Sequence, residues 1–354
     1  MQVSINDLKY VPTVFLRTAE MQALEQLSNA EKDSIIPLIP IKPWANSNHL
    51  VNSLRRVERA LPNRRFFIDI DRYYLRASER PAWSEFQALR SSTDNFLNWR
   101  NFADESEFAI PCIQIFGSQA DVIGAQIAWA DQNNKPFALR IEQRFPCDRA
   151  AVLAAFGSIE HSNYIIVLDA GWSRDVLSSQ LWASGWITAL NNLHNDAKIV
   201  VSASSFPDQF MPYGQFGTEN LQERPFYNAL RGTHNTARLI YGDWASSRPH
   251  GNDSGGPGYS RVDLPVANSW VFFRSDAIGG DFQPLAAQAR NSAYWDGDLN
   301  NWGKYFIDNT ASGTGFTINS AQQAAAARIN IHLNQQISQG LGVAIGDVPE
   351  DYED

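Results

Sequence analysis

Two carboxylates close an apolar run in Arg65-Phe66-Phe67-Ile68-Asp69-Ile70-Asp71-Arg72. On a β-strand alternate residues share a face. Asp69 and Asp71 therefore stand together, with Phe67 deeper on the same side. A buried, unpaired charge is expensive, so the pair is expected at an open rim and not in a core. Other apolar runs end the same way: Arg17 and Lys42 follow the first two, Arg140, Glu142 and Arg144 the fifth, Asp169 the sixth and Asp243 the last. Several acids beside several cations suit a phosphate-bearing ligand. Arginines grip phosphate with two parallel hydrogen bonds, and carboxylates hold a hard cation such as Mg²⁺. The corresponding enzyme is a metal-assisted hydrolase of a phosphorylated or nucleotide-like substrate. Its catalytic groups would be Asp69, Glu142 and Asp169. Asp69, Asp71 and Asp169 would hold Mg²⁺ or another divalent cation. Arg17, Lys42, Arg140, Arg144 and Asp243 would bind substrate.

Each of these residues has a structural alternative. Asp69 and Asp71 can pair with Arg140 or Lys42 in an ion network. Asp169 opens Asp-Ala-Gly-Trp and can cap a turn. Arg140, Glu142 and Arg144 can neutralise one another, and Asp243, between Gly242 and Trp244, can be a turn residue. Two further functions compete. One is glycoside hydrolysis by a carboxyl pair, with Trp44, Trp172, Trp244, Trp295 and Trp302 available to stack on sugars. The strand ends where many retaining barrel glycosidases carry glutamates instead have Gln114 and Ser202 with Ser204. The other is non-catalytic recognition of a small anionic ligand or a partner protein, through the aromatic segment around Trp295–Trp302.

The elements that must position these residues follow from hydrophobic period. Apolar strands are expected at Val11–Leu16, Ile35–Ile41, Phe66–Ile70, Phe108–Ile115, Pro136–Ile141, Tyr164–Leu168, Lys198–Ser202 and Arg238–Tyr241, with helical segments between them, among them Pro81–Arg100 and Asp175–Asn195. Near-continuous apolar strands alternating with amphipathic helices specify an α/β fold with a parallel sheet covered on both faces. The number of units fits a (β/α)8 TIM-like barrel over residues 1–245. An open doubly wound sheet would usually carry a glycine-rich turn after its first strand; here that turn is Leu16-Arg17-Thr18-Ala19. Pro37 and Pro40 predict irregular pairing of the second strand. Beyond it, residues 246–345 read as an extension packed on the barrel. It contains a loop reaching Gly258, a hairpin in Arg261–Asp276 and an alanine-rich helix over Ser320–Ser338. An acidic tail, 346–354, follows.

Composition narrows the function classes. In 354 residues, 44% are hydrophobic and 12% aromatic, which excludes general disorder. The net charge of -9 argues against a broad nucleic-acid-binding face, though not against a local basic groove. Two cysteines make no disulfide framework. No signal peptide and no bilayer-spanning apolar run is evident, so a cytoplasmic, non-membrane protein is expected. The histidines lack zinc spacing, and there is no Gly-x-Ser-x-Gly elbow, Walker loop or Gly-x-Gly-x-x-Gly turn. No nicotinamide, flavin or haem is expected.

Short motifs along the chain resemble the beta protein family of bacteria, phages and mobile elements. They are Tyr10-Val-Pro, Ile36-Pro37-Leu38-Ile39-Pro40-Ile41, Phe67-Ile68-Asp69-Ile70-Asp71, and Tyr241-Gly242-Asp243-Trp244-Ala245 with Arg248-Pro249. The resemblance implies a barrel of this length and a setting in phage–host conflict, including antiviral defence. It brings no settled activity and no catalytic residues.

Overall fold

The computed structural model describes residues 2–157, 159, 163–210, 214–249, 258–298 and 300–340. Its strands are β1 (Tyr10–Pro12), β2 (Leu38–Ile41), β3 (Phe66–Ile70), β4 (Ala109–Pro111), β5 (Phe137–Glu142), β6 (Tyr164–Trp172), β7 (Lys198–Ser204), β8 (Phe216–Asn220), β9 (Arg238–Asp243), β10 (Tyr259–Val266) and β11 (Ser269–Ile278). The helices are α1 (Thr18–Glu25), α2 (Asn29–Asp33), α3 (Val51–Ala60), α4 (Pro81–Ala88), α5 (Leu97–Ala103), α6 (Ala120–Gln132), α7 (Arg149–Phe156), α8 (Gln180–Leu193), α9 (Glu223–Thr233), α10 (Phe282–Arg290), α11 (Trp302–Ser312) and α12 (Ala321–Gly340).

The chain is a mixed α/β fold. A five-stranded sheet runs β1-β9-β7-β6-β5 and a three-stranded sheet runs β2-β3-β4; every pair in both is parallel. The two sheets meet at both margins. Thr13 bridges to Leu38 and Cys112 to Ala138, each in parallel sense, and the Val14 and Ile113 amides donate to the Leu38 and Ala138 carbonyls, both at 2.8 Å. Pro40 has no N–H to give. β2 keeps a regular ladder with β3 but meets β1 at a single bridge.

Alternation along the strands divides the apolar residues between two cores. Val11, Leu38, Phe67, Ile110, Cys112, Ala138, Ile165, Val167, Val200 and Ile240 pack together on one face. Their neighbours Tyr10, Ile39, Ile68, Leu139, Ile166, Val201 and Tyr241 face the helices. The first face is crowded around Gly242. A Cβ there would lie 2.7 Å from Val200 Cγ1 and 3.0 Å from the Val11 carbonyl oxygen, so only glycine fits.

Three elements differ from the sequence expectation. The helix expected over Pro81–Arg100 is two helices, α4 and α5, because Asp94, Asn95 and Phe96 take left-handed φ values of 49°, 57° and 61°. That conformation is open to Asp and Asn but strained for Phe. The start of the expected helix at Asp175 is a 3-10 turn over Val176–Ser179, with α8 following. The stretch after β7 holds an unforeseen strand, β8, which pairs antiparallel with β11 in a sheet ordered β10-β11-β8. The expected hairpin is β10–β11, and the alanine-rich helix is α12. α10, α11 and α12 share a separate core with Val262, Leu264, Val271 and Phe273 of that sheet. Most of the loop before Gly258 and the acidic tail lie outside the described residues. Among the described residues no helix is long and apolar enough to cross a membrane.

Candidate functional site: a buried charge cluster and a basic cleft

On β3, β5 and β6 the inner-face residues following the apolar core are charged. Asp69 shares a face with Phe67, Arg140 with Ala138, and Asp169 with Val167, so the three converge. Arg140 is the hub. Its Nη1 donates to Asp69 Oδ2 at 3.1 Å, and its Nε and Nη2 donate to Asp169 Oδ2 at 3.1 and 2.7 Å. Nη2 also stands 2.9 Å from Glu142 Oε1, without the alignment of a hydrogen bond. The remaining oxygens are occupied by backbone amides of the same strands and by side chains that follow β4 and β9. Asp69 Oδ1 accepts from Gln114 Nε2 and the Ile70 amide. Asp169 Oδ1 accepts from the Gly171 amide and Trp244 Nε1. All four charged residues are buried, Asp69 and Asp169 to within 1% of complete enclosure. Trp244 faces the guanidinium at 5.3 Å, and Tyr73 packs edge-on against Trp244 and Phe145.

Burial pushes the Glu142 carboxyl up to about 7, against the pull of Arg140 and Arg72 and with help from Asp69 and Asp169. Burial works against the Arg140 charge too, but its three acids overcome this and hold its pKa above the ordinary arginine range.

These carboxylates do not fit a divalent cation. Among the described residues no group of three His, Cys, Asp or Glu side chains is placed to hold one. Where a cation would sit among Asp69, Glu142 and Asp169, the guanidinium of Arg140 stands. Asp71, expected as a third ligand beside Asp69 and Asp169, is buried and accepts from the Tyr73 amide at 2.9 Å. Burial raises its pKa, opposed by Lys42, Arg140 and Arg17.

Two other expected site residues stand elsewhere. β5 ends at Glu142, so Arg144 does not share its face; it is exposed and lies over the Tyr73 and Phe145 rings. Asp243 has the alternation of Tyr241, not of Ile240, and turns away from the inner face. Its Oδ1 accepts from Tyr10 Oη at 2.7 Å and the Ala245 amide at 2.8 Å; its Oδ2 accepts from Tyr241 Oη at 2.9 Å and His332 Nε2 at 2.8 Å. It ties β1 and β9 to α12.

Arg17 and Lys42 instead line an open cleft of about 550 Å³, shared with Arg76, Arg248, Arg261 and Arg328. The acids in its wall are Glu20 and Asp208. Several of these cations lie on aromatic faces: Lys42 at 5.3 Å from Tyr74, Arg261 at 3.3 Å from Phe210, Arg328 at 4.3 Å from Phe206. A ring beneath a cation fixes its position without satisfying its N–H groups. Asp263 holds Arg261 and Arg328 together, through Arg328 Nη1 at 2.8 Å and Arg261 Nη2 at 2.9 Å. Arg328 Nε is buried and has no hydrogen-bond partner among the described residues. Burial raises the Glu20 carboxyl, while Arg17, Lys42 and Arg328 oppose the shift. Asp208 is held on the far side by two hydrogen bonds from Arg174.

Sequence reasoning did not place Arg76, Arg248, Arg261 or Arg328 at a site. One signal was available: Arg328 is a lone charge in the apolar, alanine-rich run Ala324-Ala-Ala-Ala-Arg-Ile-Asn-Ile, where an ordinary amphipathic surface helix would carry several charges on its polar face. Trp295 and Trp302, read as a recognition surface, pack against the core of α10–α12.

A family profile described as "Beta protein" matches residues 10–338. Enterobacteria phage P4 has a similar protein, "Protein beta", 27% identical over 357 residues that span 98% of each chain. No solved structure matches.

Proposed function

The chain belongs to the Beta protein family, and from that premise we propose that it is a binding protein for a phosphate-bearing ligand. The ligand sits in the basic cleft, at the C-terminal ends of the strands of a closed (β/α)8 barrel. The barrel reading rests on the bridges that join the two parallel sheets at both margins. The observation that carries the ligand class is local charge. Six cations against two acids line one cleft in a chain whose net charge is -9. Asp263 offsets part of that charge at Arg261 and Arg328, and the excess of cations lining the cleft suits an anionic ligand.

Catalysis by the buried cluster is not favoured. Both oxygens of Asp69 and of Asp169 accept hydrogen bonds already, and Arg140 takes the place of a metal. We read Asp69, Arg140, Glu142 and Asp169 as a scaffold that fixes the ends of β3, β5 and β6. A glycosidase needs two carboxyls facing across an open cleft. Here Asp208 is turned to Arg174, and Glu20 lies 3.9 Å from Arg17.

Titration calorimetry with inorganic pyrophosphate and with a nucleoside triphosphate tests the proposal. Arg76→Ala and Arg248→Ala are the informative variants, since neither side chain is buried. Each should weaken binding by about tenfold, with a marked fall at high salt. Absence of saturable binding by either ligand, or variants indistinguishable from the parent, would remove the proposal.

A further inference from the structure

A second cavity, of about 240 Å³, opens at the ends of β3 and β4. Its walls are Ile70, Phe96, Phe116 and Phe145, and its polar groups are Arg72, Arg90 and Gln114. It shares no lining residue with the basic cleft.

Three observations characterise what would fit. The first is the apolar wall: three phenylalanines around a small volume make a slot for a flat ring. Phe116, at its mouth, has 51% of its surface exposed, which is unusual for a phenylalanine. It is held in place by the edge of Phe145 at 6.1 Å and by Arg72 at 5.3 Å.

The second is the positive charge. Arg72 and Arg90 line the same small apolar space, and the charge of Arg72 disfavours that of Arg90 beyond the effect of burial. Arg90 is committed to the chain itself, donating to the Asp71 and Tyr74 carbonyls at 3.1 Å. Arg72 is less fully used. Its side chain is 12% exposed; it donates to Gln114 Oε1 at 3.1 Å, while Glu142 Oε2 stays 3.6 Å away, beyond hydrogen-bond reach. A guanidinium has five N–H groups in a planar fork, which matches a carboxylate with two parallel bonds.

The third is that this guanidinium is pre-oriented. Gln114 is fixed by Asp69 Oδ1 and the Cys112 carbonyl, at 2.9 and 3.1 Å, so the acceptor that aims Arg72 is itself immobile. Little ordering would be required on binding.

We propose that this cavity is a second binding site, for a small aromatic carboxylate whose ring lies among Phe96, Phe116 and Phe145 and whose carboxylate is held by Arg72. One carboxylate suits the site better than a phosphate chain, because the volume admits a ring of one or two cycles and little more.

The test uses the full chain and naphthoate as the probe, with naphthyl methanol as the neutral isostere. Calorimetry should give saturable binding with a dissociation constant on the order of 0.1–1 mM, as for a fragment-sized ligand. The neutral isostere should bind at least about tenfold more weakly, as should the variants Phe116→Ala and Arg72→Lys. Saturating pyrophosphate should leave naphthoate binding unchanged, which separates this site from the basic cleft. Because Arg72 contacts the buried cluster, thermal melting accompanies Arg72→Lys. Phe116→Ala removes a half-exposed ring and keeps the test decisive if the arginine variant misfolds. The proposal is overturned if naphthoate does not saturate by about 10 mM. Equal binding of the isostere, displacement by pyrophosphate, or undiminished binding by Phe116→Ala overturns it equally.

Discussion

Asp243→Asn should destabilise the fold without touching the basic cleft. The carboxylate of Asp243 is fully buried and accepts four hydrogen bonds, two on each oxygen. Asparagine has one acceptor oxygen and one donor NH₂. If its oxygen keeps Tyr10 and the Ala245 amide, its NH₂ is driven against the Tyr241 hydroxyl and His332 Nε2. If the amide is flipped, the other pair suffers. Two hydrogen bonds to a charged group, each worth about 1.5–3 kcal/mol, are therefore lost or inverted. Partial rearrangement of the hydroxyls recovers some of this, so a net loss of about 3 kcal/mol is expected. Burial pushes the Asp243 carboxyl up, but His332 and the hydrogen bonds from His332, Tyr10 and Ala245 pull it below its ordinary value of 3.8. A depressed carboxyl contributes stability above its unfolded pKa and loses it as pH falls through the folded one. The difference between parent and variant should thus be complete at neutral pH and shrink below about pH 4. Urea denaturation at a series of pH values, followed by tryptophan fluorescence and circular dichroism, measures it. A change below about 1 kcal/mol at pH 7 would refute the argument that Asp243 is the tie between β1, β9 and α12. A variant of parental stability that failed to bind pyrophosphate would instead restore Asp243 as a ligand-binding residue.

Arg140→Ala removes the cation shared by Asp69, Glu142 and Asp169 and should cost about 3–5 kcal/mol or prevent folding, read as loss of the urea transition. Glu142, with its carboxyl raised to about 7, makes the opposite pH signature from Asp243. An acid whose folded pKa is raised favours the folded state while protonated and loses that contribution as pH rises through the folded value. Relative to the parent, Glu142→Gln should therefore gain stability, on the order of 3 kcal/mol, between about pH 4.5 and 7, and a flat difference across that window would count against it. Glu20→Gln removes a negative charge from the cleft wall and should tighten pyrophosphate binding by a few-fold at pH 8, with the gain shrinking as pH falls and the parental Glu20 carboxyl, raised by burial, takes up its proton. Unchanged affinity at every pH would show that Glu20 does not face the ligand.

Much of the fold was legible because its signals are local. β3, β5, β6, β7 and β9 are apolar runs, and their alternation with helices specifies parallel sheets whatever the details of packing. Asp69, Arg140 and Asp169 were legible as a set for the same reason, since each continues the inner-face alternation past the last apolar residue. The break between α4 and α5 was not, because left-handed Phe96 is held by tertiary contacts that override its local preference. β8 was not, because an edge strand with alternating exposure has no apolar run and exists only against β11.

By itself, the sequence determined which residues could be charged partners and on which strand face each would stand. It grouped Asp243 with the other rim residues; that Asp243 follows the alternation of Tyr241 and turns away is evident only once Ile240 is known to face inward. What the tertiary structure alone decided is how those charges are spent. Coulomb energy depends on distance and burial, and neither is encoded in a spacing of two residues. Folding brings Arg140 between three acids and so closes them to a metal. It also brings Arg261 and Arg328, 117 and 184 residues beyond the last expected cation at Arg144, beside Arg17 and Lys42. The acids that first suggested a reactive rim are held by Arg140, and the cations Arg17 and Lys42 line the open cleft proposed above to bind a ligand.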